Sequence, residues 1–512
     1  MRPRREEGLR CTVLVLAAVC ATSAIGCAEP PTTRRLAYDA IEAMGGSHRV
    51  QAVRSLVMKN GAGTRSRLGQ SVRASAVDPK AMLVDVTETL DLAGGRAALQ
   101  YEIRTEAGFT QQRQEILTRH GDRLVGLERV GGRPAAVMSA DALFSWGTQH
   151  TPAMALRRNV ITVALAAVAA DISEVAEDRE LAGRPVKFGR AALKDETIGI
   201  YFDPESHLIA AYETTDTEPI LGDVPARYVL DDYGKVDGVM LPHRISISKG
   251  GAHYADVRFT SASVNEADAR TVFNIPTEAA GAAAEVAAGD SEYSPLTLTA
   301  IADDVYFAQG YSHHSLVVAF PSYLTVIEAP YTQAQSRTLV KLLSSQFPGK
   351  PVRYLAVTHP HFDHMGGVRS VAAAGATILV ARQHEAAMRA LLTARHTNPA
   401  DDLDRNRSSG GKTGNLQAYD NKTVIAEGRQ SIELHVVLGS PHADPIVMAY
   451  VPSAHLLFQS DLFSPGTGEG ATPAAAQLLR AVRVLGLDVR TNAGGHGGVG
   501  PFDELVQAVG TP

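Results

Sequence analysis

Over residues 32–274 apolar and polar side chains alternate in short stretches separated by turn residues, which is the period of strands with one buried face. Ala81 to Val86 and His253 to Phe259 carry this period, and in Ile198 to Phe202 the side chains of Ile198, Ile200 and Phe202 fall on one side. A mostly β domain is expected. One patch, Asn159 to Val175, is helical in character; its apolar part is shorter than the ~20 residues that cross a bilayer, so it reads as a packed helix. Between Pro276 and Pro295 lies a run of small residues, Thr277 to Asp290, with Val286 as its one large apolar side chain, a composition that suits a linker. Further on, the apolar run that ends at Val357 reads as a strand, the residues after it as a short loop, and Met365 to Gly375 as a helix opened by that loop. The expected organisation is a leader at residues 1–26, a β-rich domain at 27–275, a linker at 276–292 and a second domain at 293–512.

Composition narrows the chemistry. A chain of 512 residues with 45% hydrophobic and 20% charged side chains is long enough for two or three self-supporting cores. Its formal charge of −6 provides no overall positive field, which argues against nucleic acid as a partner. All three cysteines, Cys11, Cys20 and Cys27, lie within the first 27 residues, so a metal bound downstream must use His, Asp or Glu. Eleven of the 17 histidines follow residue 300, which directs attention to the C-terminal part.

The N-terminus has Arg2, Arg4, Arg5 and Arg10, then an apolar run from Cys11 to Ile25, then Gly26-Cys27 and a polar, proline-containing stretch. That is the order of a secretory signal, and its removal is expected. Ala24-Ile25-Gly26-Cys27 resembles the lipobox of bacterial lipoproteins, in which cleavage leaves a diacylated cysteine, although Ala24 stands where Leu is usual. The expectation is an exported bacterial protein, periplasmic or tethered to a membrane by a lipid anchor on Cys27, with plain secretion and an uncleaved anchor as the other readings.

The residues with the most chemical content are His359-Pro360-His361-Phe362-Asp363-His364. In an extended segment His359 and His361 project to one side, so two imidazoles can meet one cation, while Asp363 and His364 follow where the chain turns. A single histidine is usually a surface or satisfied core residue; three with an aspartate in six positions call for another account. This stretch resembles the His-x-His-x-Asp-His signature of the metallo-β-lactamase superfamily. The resemblance implies three further ligands in order, and His442, Asp461 and His496 follow at intervals of 78, 19 and 35 residues from His364. It implies an αβ/βα four-layer sandwich over residues 293–512. It also implies that His359, His361 and His442 hold one metal and Asp363, His364 and His496 the other, with Asp461 bridging.

Zinc is the expected metal, two ions, because imidazole and carboxylate suit it; the same donors also suit manganese or iron. The implied activity is hydrolysis of an ester, thioester, lactone or amide-like bond in a small molecule by hydroxide held between the two ions, with Asp363 as general acid and base. Asp461 is retained in thioesterase, lactonase and phosphodiesterase relatives, whereas most dedicated β-lactamases of this superfamily have Cys or Ser there. A β-lactamase remains an alternative, as does an exported protein that binds a lipid or other apolar ligand and uses the metal domain only structurally. That last reading draws on the β-rich region, where Ala43-Met44-Gly45-Gly46-Ser47, Tyr201-Phe202-Asp203-Pro204 and Val236 to His243 resemble parts of periplasmic lipoprotein-carrier domains, which are incomplete barrels.

Several lesser expectations concern single residues. His313 and His314 are candidates to face the metal cleft. Glu328 is a candidate to support the ligand loop. His384 is expected on a helix surface, His435 within a strand and His455 in a turn. Asn398 to Asn415 reads as a mobile surface loop whose Arg405 and Arg407 suit an anionic substrate.

Overall fold

The computed structural model describes residues 31–510 except 68, 74–77, 107, 141–142, 144–151, 171–174, 194–195, 290–293 and 398–399. The expected leader, the three cysteines and with them the expected lipidation at Cys27 lie outside the described residues.

Six strands from Ser55 to Ser139 form one antiparallel meander, and seven from Glu177 to Arg258 form another. They merge where Ser55–Ser66 pairs with Ala252–Arg258, and with Ser261–Val264 on the flank they make a 14-stranded sheet. Two helices, Thr33–Ala43 and Val160–Ala169, pack on one face, each capped by a side chain, Thr32 and Asn159, that accepts from a backbone N–H of the first turn. Ile41, Met44 and Val163 share a core with Leu99 from the first meander and Phe202 and Leu241 from the second, so the sheet curves around the helices. Among the described residues its terminal strands, Ala136–Ser139 and Glu177–Leu181, each pair on one side only, so the sheet is open at both ends. The predicted alternation holds in Glu196–Phe202: Ile198, Ile200 and Phe202 enter the helix-covered core, while Tyr201 packs with Phe188 on the other face.

The run expected as a linker is folded. A 3₁₀ turn at Thr277–Ala279 leads into the helix Ala280–Ala288, whose Ala283 and Val286 are buried against Val125, Leu127 and Val137 of the N-terminal sheet. Alanine has the highest helix propensity, and two buried side chains on one face suffice to dock so short a helix, a possibility that composition alone does not disclose.

The C-terminal part has two sheets, seven-stranded and six-stranded, face to face. Phe307, Leu316, Val318 and Ile327 of the first meet Ile432, Leu434, Val447 and Phe458 of the second. Helices Gln333–Gln346, Val368–Ala373 and Glu385–Thr393 cover the outside of the first sheet, and Pro473–Leu485 with Asp503–Val509 cover the second, giving four layers. Leu324–Ile327, Val352–Ala356, Thr377–Ala381 and Asn415–Tyr419 run parallel, and three of these helices form or belong to the crossovers between them.

Two local expectations need correction. Residues 400–415, the described part of that stretch, are not simply a surface loop: Asp402–Ser409 is a helix capped by Asp401, and the fully buried Arg369 binds both Asp401 (2.5 Å) and Asp404 (3.2 Å). Arg405 pairs with Asp402, and Arg407 with Asp404, so both cations are engaged locally. His384 is buried rather than on a surface, and its Nε2–H donates to the carbonyl of Pro445 (2.8 Å). Both errors have one origin, since a polar residue reads as solvent-facing until its buried partner is known. His435 lies in a strand and His455 in a turn, as expected.

No single helix among the described residues is long and apolar enough to cross a membrane.

The two parts meet closely. The Phe362 N–H donates to the Gly69 carbonyl (3.2 Å), the Asp444 N–H to the Val72 carbonyl (2.7 Å), and Tyr331 Oη to Glu128 (2.6 Å). Asp223, at the far end of the same interface, donates its N–H to the Arg395 carbonyl (2.7 Å).

Candidate metal centre

The seven residues singled out by the sequence come together at one edge of the sandwich, each just beyond the end of a strand. His359 and His361 follow Val352–Ala356, and Asp363 and His364 lie in the short helix Phe362–Met365. His442 follows Gln430–Val437, Asp461 follows Leu456–Gln459, and His496 follows Thr491–Gly494. His442 Nε2 is 3.3 Å from His359 Nε2, and His496 Nε2 is 3.3 Å from His364 Nε2. Asp461 lies between the two pairs: Oδ2 is 2.7 Å from His364 and 3.6 Å from His359, and Oδ1 is 3.2 Å from His496 and 3.8 Å from His442. Donor atoms of His359, His361 and His442 lie within 4.8 Å of one another, and so do those of Asp363, His364, His496 and His313.

The surrounding hydrogen bonds set the imidazole tautomers. Glu328 is fully buried; its carboxylate accepts from His364 Nδ1 (3.0 Å) and from the Thr358 hydroxyl. Because that hydroxyl proton points to Glu328, Thr358 Oγ1 accepts from His359 Nδ1 (2.9 Å). His496 Nδ1 donates to the Ser312 carbonyl (3.2 Å). All three Nε2 atoms are therefore left with a lone pair that points inward, and only a second proton or a cation can satisfy them. His361 is the reverse case: its Nε2–H donates to the Ser71 carbonyl (3.1 Å), which turns Nδ1 to the centre. Glu328 is thus tied to the His364 ring directly and to the His359 ring through Thr358.

The electrostatics agree with a cation site. Burial keeps the imidazoles of His359 and His442 below their usual pKa, and burial with the nearby His442 pushes His361 down to about 3, so these rings are neutral donors at neutral pH. Burial opposes charge on His364 too, but Asp461, Glu328 and Asp363 outweigh it and raise that imidazole. Burial likewise opposes ionisation of Asp461 and Asp363, and His364 together with the other imidazoles around each of them outweighs it, which leaves both carboxylates below their usual range.

His313, expected to face the cleft, does so. It stacks on Tyr331 with ring centroids 5.1 Å apart, and its Nε2 lies 3.4 Å from Asp363 Oδ2. His314 turns away, its Nε2–H donating to the Gly497 carbonyl (2.9 Å). The glycine-rich surroundings of His496 have a steric reason: a Cβ on Gly495 would fall 1.5 Å from Ser460 Oγ and 2.9 Å from Glu328 Oε2.

A cavity of about 1010 Å³ opens over the centre, and both domains line it. Ser312, His313, Phe463 and Glu469 come from the C-terminal domain, and Arg67, Gln70, Glu102, Phe109 and Arg133 from the N-terminal sheet. Sequence reasoning missed these N-terminal residues, because an Arg or Gln after an ordinary strand carries no local signal. The pairing Arg405 and Arg407, by contrast, contributes nothing to the cavity wall.

The family model described as "Metallo-beta-lactamase superfamily" matches residues 315–496, a span that contains all seven residues and none of the N-terminal sheet. Solved structures similar to the chain include a metallo-beta-lactamase from Pontibacter korlensis, at 18% identity over 42% of this chain and 97% of that one, with a TM-score of 0.33. A metallo beta lactamase from Hirschia baltica is 16% identical over 42% of this chain and 96% of its own, with a TM-score of 0.32. No curated protein matches the chain.

Proposed function

Because the C-terminal domain has the metallo-β-lactamase fold, we propose that the chain is a hydrolase that works with two zinc ions on an ester, thioester, lactone or amide-like bond of a small molecule. The observation that carries this reading is the convergence of three Nε2 lone pairs and the Asp461 carboxylate from three separate strand ends, with each Nδ1 proton committed elsewhere.

In this reading His359, His361 and His442 hold one ion, Asp363, His364 and His496 the other, and Asp461 reaches both. When bound, such a pair of ions lowers the pKa of water towards ~7 and polarises an acyl oxygen. The Asp363 carboxylate faces the centre, where it would take the proton of the attacking water and return it to the leaving group. The Ser312 and His313 side of the cavity and the Arg67 side bound the space in which the substrate is oriented. Export, and tethering through a lipid on Cys27, belong to the same reading, since a signal and a lipobox-like sequence precede the folded part.

The test is a hydrolysis screen on zinc-loaded protein with a chromogenic β-lactam, a lactone, a thioester, an aryl sulfate and a phosphodiester. Turnover on any one of them, abolished by Asp363→Asn and by His361→Ala, is expected. Turnover that survives complete removal of metal refutes the proposal.

A further inference from the structure

The loop that follows the strand Ser55–Ser66 belongs to the N-terminal domain, yet it reaches the ligand loop of the other domain. It is braced at its base, where the Arg67 N–H donates to the Pro79 carbonyl (2.7 Å) and the Gln70 N–H to Asp78 Oδ1 (3.2 Å). From there, three groups in a row touch three consecutive positions of the metal centre. The Gly69 carbonyl accepts from the Phe362 N–H (3.2 Å), the Ser71 carbonyl from His361 Nε2 (3.1 Å), and the Gln70 side chain donates from Nε2 to Asp363 Oδ1 (2.7 Å).

The orientation of the Gln70 amide is determined by its second partner. Arg67, which has only protons to offer, donates to Oε1, so the NH₂ end must face Asp363. The carboxylate of Asp363 is thereby divided. Oδ1 is held by Gln70, and Oδ2 is left 3.4 Å from His313 Nε2 and 3.7 Å from His364 Nε2, on the side of the second ion. Gln70 is 6% exposed, so water has little access to replace it.

We propose that Gln70 is a positioning residue of the metal centre, supplied by the N-terminal domain, and that it selects Oδ2 of Asp363 as the atom presented to the ion shared with His364 and His496. This inference rests on the dinuclear reading above. It gives the N-terminal domain a part in the metal chemistry, in addition to walling the cavity. Partners that orient metal ligands typically account for 10–100-fold in metal affinity, and the effect here should be confined to one of the two ions.

The experiment uses the full chain with Gln70→Met, which keeps the length of the side chain and removes both hydrogen bonds, and Gln70→Ala, which guards against a misfit of the thioether. Zinc is titrated against a chromophoric chelator to resolve two dissociation constants, and the visible spectrum of the cobalt-loaded protein is recorded. Asp363→Asn identifies which ion belongs to the Asp363 site. The expected result is a 10–100-fold weaker constant for that ion, an altered cobalt spectrum, and a constant for the other ion within about twofold of wild type. Two unchanged constants overturn the proposal. Equal weakening of both ions also overturns it, because the loop would then be a general scaffold with no specific hold on Asp363. A wild-type chain that takes up fewer than two ions refutes the dinuclear reading itself, a result that the unsubstituted protein reports separately.

Discussion

Glu328 offers the sharpest test of how the centre is held. One fully buried carboxylate accepts from His364 directly and from His359 through Thr358, and the residue adopts a left-handed backbone with φ of 67°. Glu328→Gln keeps the volume but has a single acceptor oxygen, so one of the two bonds is lost and the other no longer ends on a charge. Hydrogen bonds to charged groups are worth roughly 1.5–3 kcal/mol each, so the substitution should cost about 2 kcal/mol, or roughly 30-fold in an equilibrium constant. Because the donors released are the His364 Nδ1–H and the Thr358 hydroxyl that in turn holds His359 Nδ1–H, the loss should appear mainly in metal binding. Glu328→Ala adds a void and leaves both donors unsatisfied, and about 3–5 kcal/mol is expected, shared between folding and metal affinity. Competition with a chelator measures the first quantity, and urea unfolding of the metal-free protein the second. Thr358→Val closes a double-mutant cycle that separates the His359 branch from the His364 branch. A Gln variant that binds both ions as tightly as wild type would refute the view that Glu328 sets the tautomers.

Three further outcomes follow from the same structure. Arg369, buried with Asp401, Asp404 and the Leu391 and Ala394 carbonyls, should cost about 3–5 kcal/mol when replaced by Met, and an unchanged urea midpoint would count against this network. Glu88 in the N-terminal core is raised to about 7 by burial, so between its ordinary value and 7 the folded chain holds a proton that the unfolded chain releases. Stability should therefore fall by about 3 kcal/mol as pH rises through that window, and Glu88→Gln should melt higher than wild type at pH 8 but not at pH 4.5. Zinc in 100-fold excess over its dissociation constant should add about 3 kcal/mol of stability, seen as a drop in Tm on chelation.

Much of this protein could be read from the sequence because the relevant signals are local or ordered along the chain. Alternation placed Ile198, Ile200 and Phe202 on one face, since the period of a strand depends on nothing beyond its own backbone. The cluster from His359 to His364, followed in order by His442, Asp461 and His496, marked the centre, because a metal site on parallel strands draws its ligands from successive strand ends. What depends on partners distant in sequence could be decided only by the fold. His384 and the acids around Arg369 read as solvent-facing until the chain returned to cover them, and the alanine-rich run at Ala280–Ala288 read as a linker until Val286 found a surface. The same holds at the centre, where Gln70 and Asp363 are 293 residues apart and meet at 2.7 Å. Neither residue's neighbours encode that contact; it exists because one curved sheet delivers its loop to the edge of another sandwich.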